Sequence, residues 1–174
     1  NMNILVTGGA GYIGSHIIEL LVKKKSNKVI TLDNLSTGYK ILVNKRSKFF
    51  KGDINNTKLT KKLINKFNID TIIHLAASLN VRDSEKNKKK YYKNNILGTK
   101  NLLLSCKNTM VKNVIFSSSC SIYGNVKSSV NERKKPNPKS YYAFTKYKGE
   151  ELIKKFSSKF NYNFGILRYF NVAG

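Results

Sequence analysis

At 174 residues, 40% hydrophobic and 11% aromatic, the chain suits one domain with a sizeable core and is too short for two comfortable ones. Its 33 Lys and Arg against 9 Asp and Glu leave a formal charge of +24, yet the lysines fall in short clusters along the whole length (Lys23 to Lys25, Lys88 to Lys90, Arg133 to Lys135), a compositional bias toward Lys and Asn that points to no specific nucleic-acid partner. No apolar run reaches membrane-spanning length, the chain opens on a strand and a glycine loop with no room for a leader, and Cys106 and Cys120 lack a paired spacing, so a reduced, cytoplasmic setting without membrane contact is expected.

The first apolar run, 3–7, passes straight into Gly8-Gly9-Ala10-Gly11-Tyr12-Ile13-Gly14 and then into a helical pattern over 12–25, where Ile13, Ile17, Leu20 and Leu21 share a face. A strand entering a helix through such a turn is a dinucleotide site. Gly8 makes the bend, Gly11 admits a pyrophosphate against bare backbone, and Gly14 seats the helix on the strand, while the helix N-terminus turns free N–H groups on the phosphates. The second run, 28–32, is closed by Asp33, 19 residues beyond Gly14, where an acid hydrogen-bonds the adenosine ribose. A carboxylate there repels a 2′-phosphate, so NAD is expected rather than NADP.

Strands follow at 48–51, 71–75, 113–118 and 163–168, and helices at 57–67, 86–106 and 140–160. Six parallel strands with right-handed crossovers make residues 1–174 one α/β domain, a doubly wound parallel sheet (Rossmann fold), with ligands outside the carboxyl ends of the strands. Asp33, Asp53, Ala76, Ala77, Ser119 and Tyr169 to Asn171 collect at those ends. The one linker is the loop 125–139, which holds Pro136 and Pro138.

Tyr142 and Lys146 stand one helical turn apart on one face. An ammonium held beside a phenol stabilises the phenolate, so Lys146 is expected to lower the Tyr142 pKa from about 10. Lysine is abundant enough for such a pair to arise by chance, as Tyr92 with Lys88 illustrates. Tyr142 is set apart by a third group, the Ser117-Ser118-Ser119 run that ends the fifth strand, where a hydroxyl reaches the same substrate oxygen. Ser117 and Ser118 read as structural hydroxyls. Cys120 reads as a packed small side chain, having no convincing histidine base. His16 and His74 lack a second ligand at metal-binding spacing, so no metal is expected.

These residues, with the phrases DNLSTG at 33–38, GDI at 52–54, HLAA at 74–77, YYKNN at 91–95, SSSCSIYG at 117–124 and LRYFN at 167–171, resemble the extended short-chain dehydrogenase/reductase family, in particular its C4 epimerases of UDP-sugars such as UDP-glucose. The resemblance implies that Tyr142 takes the proton of the sugar 4-hydroxyl while a hydride passes from C4 to NAD and returns on the other face of a 4-keto intermediate. Lys146 would hold the nicotinamide ribose, Ser119 would polarise the 4-oxygen, and Ser121 or Asn171 would approach the sugar nucleotide. Tyr12 and Ile13 would join the glycine turn, Asp53 and Ile54 the adenine, Asn34 the ribose, and Leu75, Ala76 and Ala77 the pyrophosphate. Tyr169 and Phe170 would line the nicotinamide pocket, and Asn95 would support the cofactor strands. Leu79 and Tyr141 depart from the family, replacing a lysine of some epimerases and a common proline. By the same resemblance a substrate-binding C-terminal domain is largely absent, and relatives form homodimers. Three readings stay open: an epimerase, a dehydratase, decarboxylase or reductase of a nucleotide sugar, and an NAD-binding module without turnover.

Overall fold

The computed structural model describes residues 1–126 and 128–172, so the expected 125–139 loop is described except for Lys127. Six strands, β1 (Asn3–Thr7), β2 (Lys28–Asp33), β3 (Lys48–Lys51), β4 (Thr71–His74), β5 (Asn113–Ser119) and β6 (Asn163–Tyr169), form one parallel sheet in the order β3-β2-β1-β4-β5-β6. The order reverses between β1 and β4, and there the crossovers leave a crevice at the carboxyl ends. The doubly wound Rossmann fold is therefore what the chain adopts. β2, β5 and β6 each run one residue further than expected and β4 stops one short, which makes Asp33, Ser119 and Tyr169 the last residues of their strands.

The inner strands β1, β2 and β4 read as apolar runs because both sheet faces are covered there. On one face Leu5, Ile30, Leu32, Ile72, Val114 and Phe116 pack against residues of helices α2 (Thr57–Lys66), α5 (Gly98–Ser105) and α6 (Tyr141–Phe160). On the other, Ile4, Val6, Val29 and Ile73 meet Ile18 and Val22 of α1 (Tyr12–Lys23). The buried stripe of α1 is thus Gly14, Ile18 and Val22 with Ile17 and Leu21 at its margin, and not the expected face, since Leu20 is 64% exposed. The fourfold spacing from Gly14 sets the face, because the helix must lie close over the turn that precedes it.

The helix expected over 86–106 is found from Lys88 to Ser105, and a helix that was not expected precedes it. A short helix, α3 (Val81–Lys86), comes first, capped by the Asn80 side chain accepting from Asp83 N–H. A run made of α4 (Lys88–Tyr91), a π-helical turn (Tyr92–Leu97) and α5 follows. Asn richness also serves helix ends, for Asn68, Asn108 and Asn161 carry positive φ at or just after helix C-termini, the one ordinary side chain that tolerates this readily.

Gly149 lets α6 lie directly on β5, since a Cβ there would strike the ring of Phe116, itself 3% exposed. Gly149→Ala is expected to destabilise the protein by about 1–3 kcal/mol, because the ring has no space to retreat into. A urea melt that left the midpoint unchanged would refute this close approach.

Candidate active site

The glycine turn is built as its spacing implies. Gly8 has φ of +74°, and a Cβ there would lie 2.6 Å from Ala76 N. Gly14 is held against the Gly8 carbonyl and Gly9 Cα, so it seats the helix on the turn rather than on the strand. At Gly11 an added Cβ would meet only the Gly8 carbonyl, at 3.4 Å, which leaves the backbone open to a ligand. α2, α3 and α6 are capped by the side chains of Asn56, Asn80 and Ser140, whereas α1 begins at Gly11 with no side-chain cap. Its first turn, Tyr12 to Gly14, lines the crevice, where a helix N-terminus suits a pyrophosphate. A dinucleotide therefore fits the residues present.

Asp33 is 8% exposed, and its carboxylate accepts from Ala10 N–H (3.0 Å) and Leu35 N–H (2.8 Å). It fastens the glycine turn to the following loop while keeping lone pairs for a ribose. That loop folds back through Tyr39 N–H to the Ala10 carbonyl, 2.9 Å, and brings Ser36, Thr37 and Gly38 into the wall beside Asn34, Ile54, Leu75, Ala76 and Ala77. Leu79 also lines it, at the position where the resemblance puts a lysine of some epimerases near the cofactor, and so does Asn94, which was not expected there. Asp53 stands behind this wall, accepting from the Asn34 amide at 3.2 Å and from Asn55 N–H at 2.8 Å. Burial would raise its pKa, but the hydrogen bonds from Asn55 and Asn34 and the charge of Lys93 outweigh it and hold the carboxyl below its usual value.

The groove continues past Gly8, Gly11, Leu75 and Leu79 into a cleft of about 330 Å³ that also gathers Tyr12, Ile13, Ser119, Tyr142, Tyr169, Phe170 and Asn171. Ser119 lies beside the Tyr142 phenol, near enough to favour its ionised form. The Ser119 oxygen in turn accepts from Ser121 N–H (3.2 Å) and the Ser121 hydroxyl (2.9 Å), so Ser121 stands behind Ser119 and its proton goes to that oxygen. Lys146, 2% exposed, donates to the Ser117 carbonyl at 2.9 Å with its ammonium 5.9 Å from the centre of the Tyr142 ring. Burial pushes the Lys146 pKa down to about 8. The Tyr142 phenol moves up, not down as expected: burial dominates, Ser119 opposes it, and Cys120 adds to it. The ammonium gives one of its three N–H groups to the Ser117 carbonyl.

Tyr142 is placed by an element the sequence did not announce. Its N–H donates to Ser84 Oγ at 3.0 Å, and that of Tyr141 to Glu85 Oε1 at 2.6 Å, so α3 helps Ser140 cap the first turn of α6. The Asn95 side chain is bonded within the protein, in keeping with the supporting place the resemblance implies. Its Oδ1 accepts from Ser78 N–H (2.8 Å) and its Nδ2 donates to the Ser78 carbonyl and Thr145 Oγ1 (both 3.0 Å), which makes it a brace for the loop after β4. Ser118 is structural, donating to the buried Glu150 at 2.6 Å.

His74 lies between Thr7 and Thr99 at 2.7 and 2.9 Å, fully buried. Burial, with the charge of Lys146, lowers its pKa from 6.5 to about 3. Below pH 6.5 the unfolded chain therefore takes up a proton that the folded one refuses, and stability falls as pH drops from about 6.5 toward about 3. Between pH 7.5 and 5 wild type is expected to lose on the order of 2 kcal/mol more than His74→Gln. Urea midpoints at the two pH values measure this, and equal losses would refute it.

A family model for the NAD dependent epimerase/dehydratase family matches residues 4–174. The chain belongs to that family. It is 41% identical over 174 residues to the UDP-glucose 4-epimerase of Lactobacillus helveticus, covering 99% of this chain and 52% of that protein. The crystal structure of UDP-glucose 4-epimerase from Brucella ovis in complex with NAD superposes with a TM-score of 0.94 at 38% identity, covering 100% of this chain and 53% of that one. The Thermotoga maritima UDP-glucose 4-epimerase with UDP-glucose gives 0.94 at 36% identity, with 99% and 57% covered. This member of the NAD-dependent epimerase family thus spans about half the length of the relatives it matches. Among the described residues no helix is long and apolar enough to cross a membrane.

Proposed function

We propose that this chain carries the NAD-binding and catalytic half of a UDP-sugar 4-epimerase that interconverts UDP-glucose and UDP-galactose. The observation that supports it is the junction of the uncapped glycine turn with Ser119, Tyr142 and Lys146 in one continuous groove. The α1 N-terminus and Gly11 would hold the pyrophosphate, Asp33 a ribose, and Tyr169 and Phe170 the nicotinamide. When bound, NAD supplies the two-electron acceptor and donor that lets C4 pass through a ketone and return inverted, with no net redox change. Tyr142 takes the 4-hydroxyl proton and later gives it back. Ser119 holds the same oxygen, and Lys146 keeps positive charge beside the phenol once the nicotinamide ribose joins its contacts. Asn171 stands at the cleft where the sugar would enter. A dehydratase needs an acid after the serine run, and Cys120 and Ser121 provide none, which favours epimerisation. The reading includes a cytoplasmic homodimer, consistent with two free thiols and with exposed Tyr92, Leu104 and Phe144 on the helices around α5 and α6.

The test is to titrate the purified chain with NAD and then supply UDP-galactose. Appearance of UDP-glucose supports the epimerase. Saturable NAD binding without turnover favours a binding module, and absence of both overturns the assignment.

A further inference from the structure

A line of hydrogen bonds crosses the interior from the glycine turn to the catalytic helix, and the direction of each proton follows from the one before. Thr99 donates its single hydroxyl proton to the Asn95 carbonyl at 2.7 Å, so at 2.9 Å it accepts from His74 Nε2–H. His74 Nδ1 is then the bare nitrogen, and it accepts the Thr7 hydroxyl proton at 2.7 Å. The Asn95 amide donates to Ser78 and to Thr145 Oγ1, and Thr145 passes its own proton to the Tyr142 carbonyl at 2.7 Å. Thr7, His74, Thr99, Asn95 and Thr145 are each 3% exposed or less. Such a chain is high-stakes, since each member is satisfied only if its neighbours are.

Its ends are chemically meaningful. Thr7 precedes Gly8, Ser78 closes the loop that carries Ala76 and Ala77, and Thr145 lies between Tyr142 and Lys146. Resting on the roles given to those two residues above, we propose that Thr99 and Thr145 are positioning residues that hold the catalytic helix in register with the cofactor bed, acting through Asn95. Valine has the same shape as threonine, so packing survives its substitution. The hydroxyl does not survive: Thr145→Val strands an Asn95 N–H, and Thr99→Val strands His74 Nε2–H and removes the side-chain bond to the Asn95 carbonyl. Rotation of the Asn95 amide toward another partner then releases Ser78.

The experiment is amide hydrogen exchange on the full chain without cofactor, reading Ser78, whose N–H is held by Asn95 Oδ1 at 2.8 Å. Thr145→Val and Thr99→Val are each expected to speed Ser78 exchange about tenfold, the effect of one net hydrogen bond, and to weaken NAD binding by a similar factor. Thr60→Val is the control, a fully buried threonine of α2 whose hydroxyl bonds only within its own helix, at Asn56. Thr145→Ser and Thr99→Ser keep the hydroxyl and should exchange at the wild-type rate, and they carry the comparison if a valine variant fails to fold. Wild-type exchange at Ser78 in the valine variants, serine variants as fast as valine, or equal acceleration in Thr60→Val would overturn the proposal. Because exchange is read without ligand, failure of NAD to bind would overturn the functional reading and leave this result standing.

Discussion

Tyr142→Phe is expected to lower UDP-galactose conversion by about 10²–10⁴-fold, the range lost when a positioned acid–base group is removed. The substitution deletes one oxygen from a ring that is 8% exposed and leaves its packing intact. The oxygen's polar neighbour is Ser119, which keeps its bonds from Ser121 and is left to the substrate or to water. NAD affinity should therefore stay within about twofold and the urea midpoint should barely move, which separates a chemical loss from a folding loss. Conversion measured by separating the two UDP-sugars decides it. A mutant with wild-type turnover would remove Tyr142 from the chemistry, and one that no longer bound NAD would make it a structural residue of the groove.

Glu150→Ala is expected to be the most damaging substitution for stability, by about 3–5 kcal/mol. Glu150 is completely buried. Its carboxylate accepts a fork from Arg168, Nε at 2.9 Å and Nη2 at 2.8 Å, and a third bond from Ser118. Arg168 also donates to the Tyr123 hydroxyl at 2.8 Å and to the Glu132 carbonyl at 3.0 Å. Removing the carboxylate leaves a guanidinium whose side chain is 14% exposed without its counter-charge. This pair fastens α6 to β5 and β6 directly below Ser119 and Tyr169, so the cleft should loosen with the fold. Denaturant unfolding measures the loss. Glu150→Gln, which keeps the shape and two acceptor lone pairs, should lose less, and equal losses would shift the explanation from charge to packing.

Much of the cofactor groove was legible in the chain because it is local. A strand, a glycine turn, a helix and an acid at fixed spacing form one βαβ unit, and Gly8, Gly14 and Asp33 take their positions from bonds within that unit, as in the 3.0 Å contact of Ala10 N–H with Asp33. The Tyr142 and Lys146 pair was legible for the same reason, being one helical turn. Roles set from a distance were not. Asn95 lies 17 residues from Ser78 and 50 from Thr145, and nothing near it in sequence says that these will absorb its amide. Nor could α3 be read as the cap of α6, since Ser84 and Tyr142 are 58 residues apart.

The sequence by itself determined the order of the strands, the glycine turn between the first strand and its helix, the acid Asp33 at the end of the second strand, and the presence of a hydroxyl, a phenol and an ammonium for one site. Periodicity and short-range spacing suffice for those, because backbone geometry repeats over a few residues. Only the tertiary structure decided which of these groups are dry. Burial sent the Tyr142 phenol up and Lys146 down to about 8, kept His74 neutral, and paired Glu150 with Arg168. Desolvation is set by whatever packs around a group from the rest of the chain, and that is known only once the sheet has brought its strand ends together.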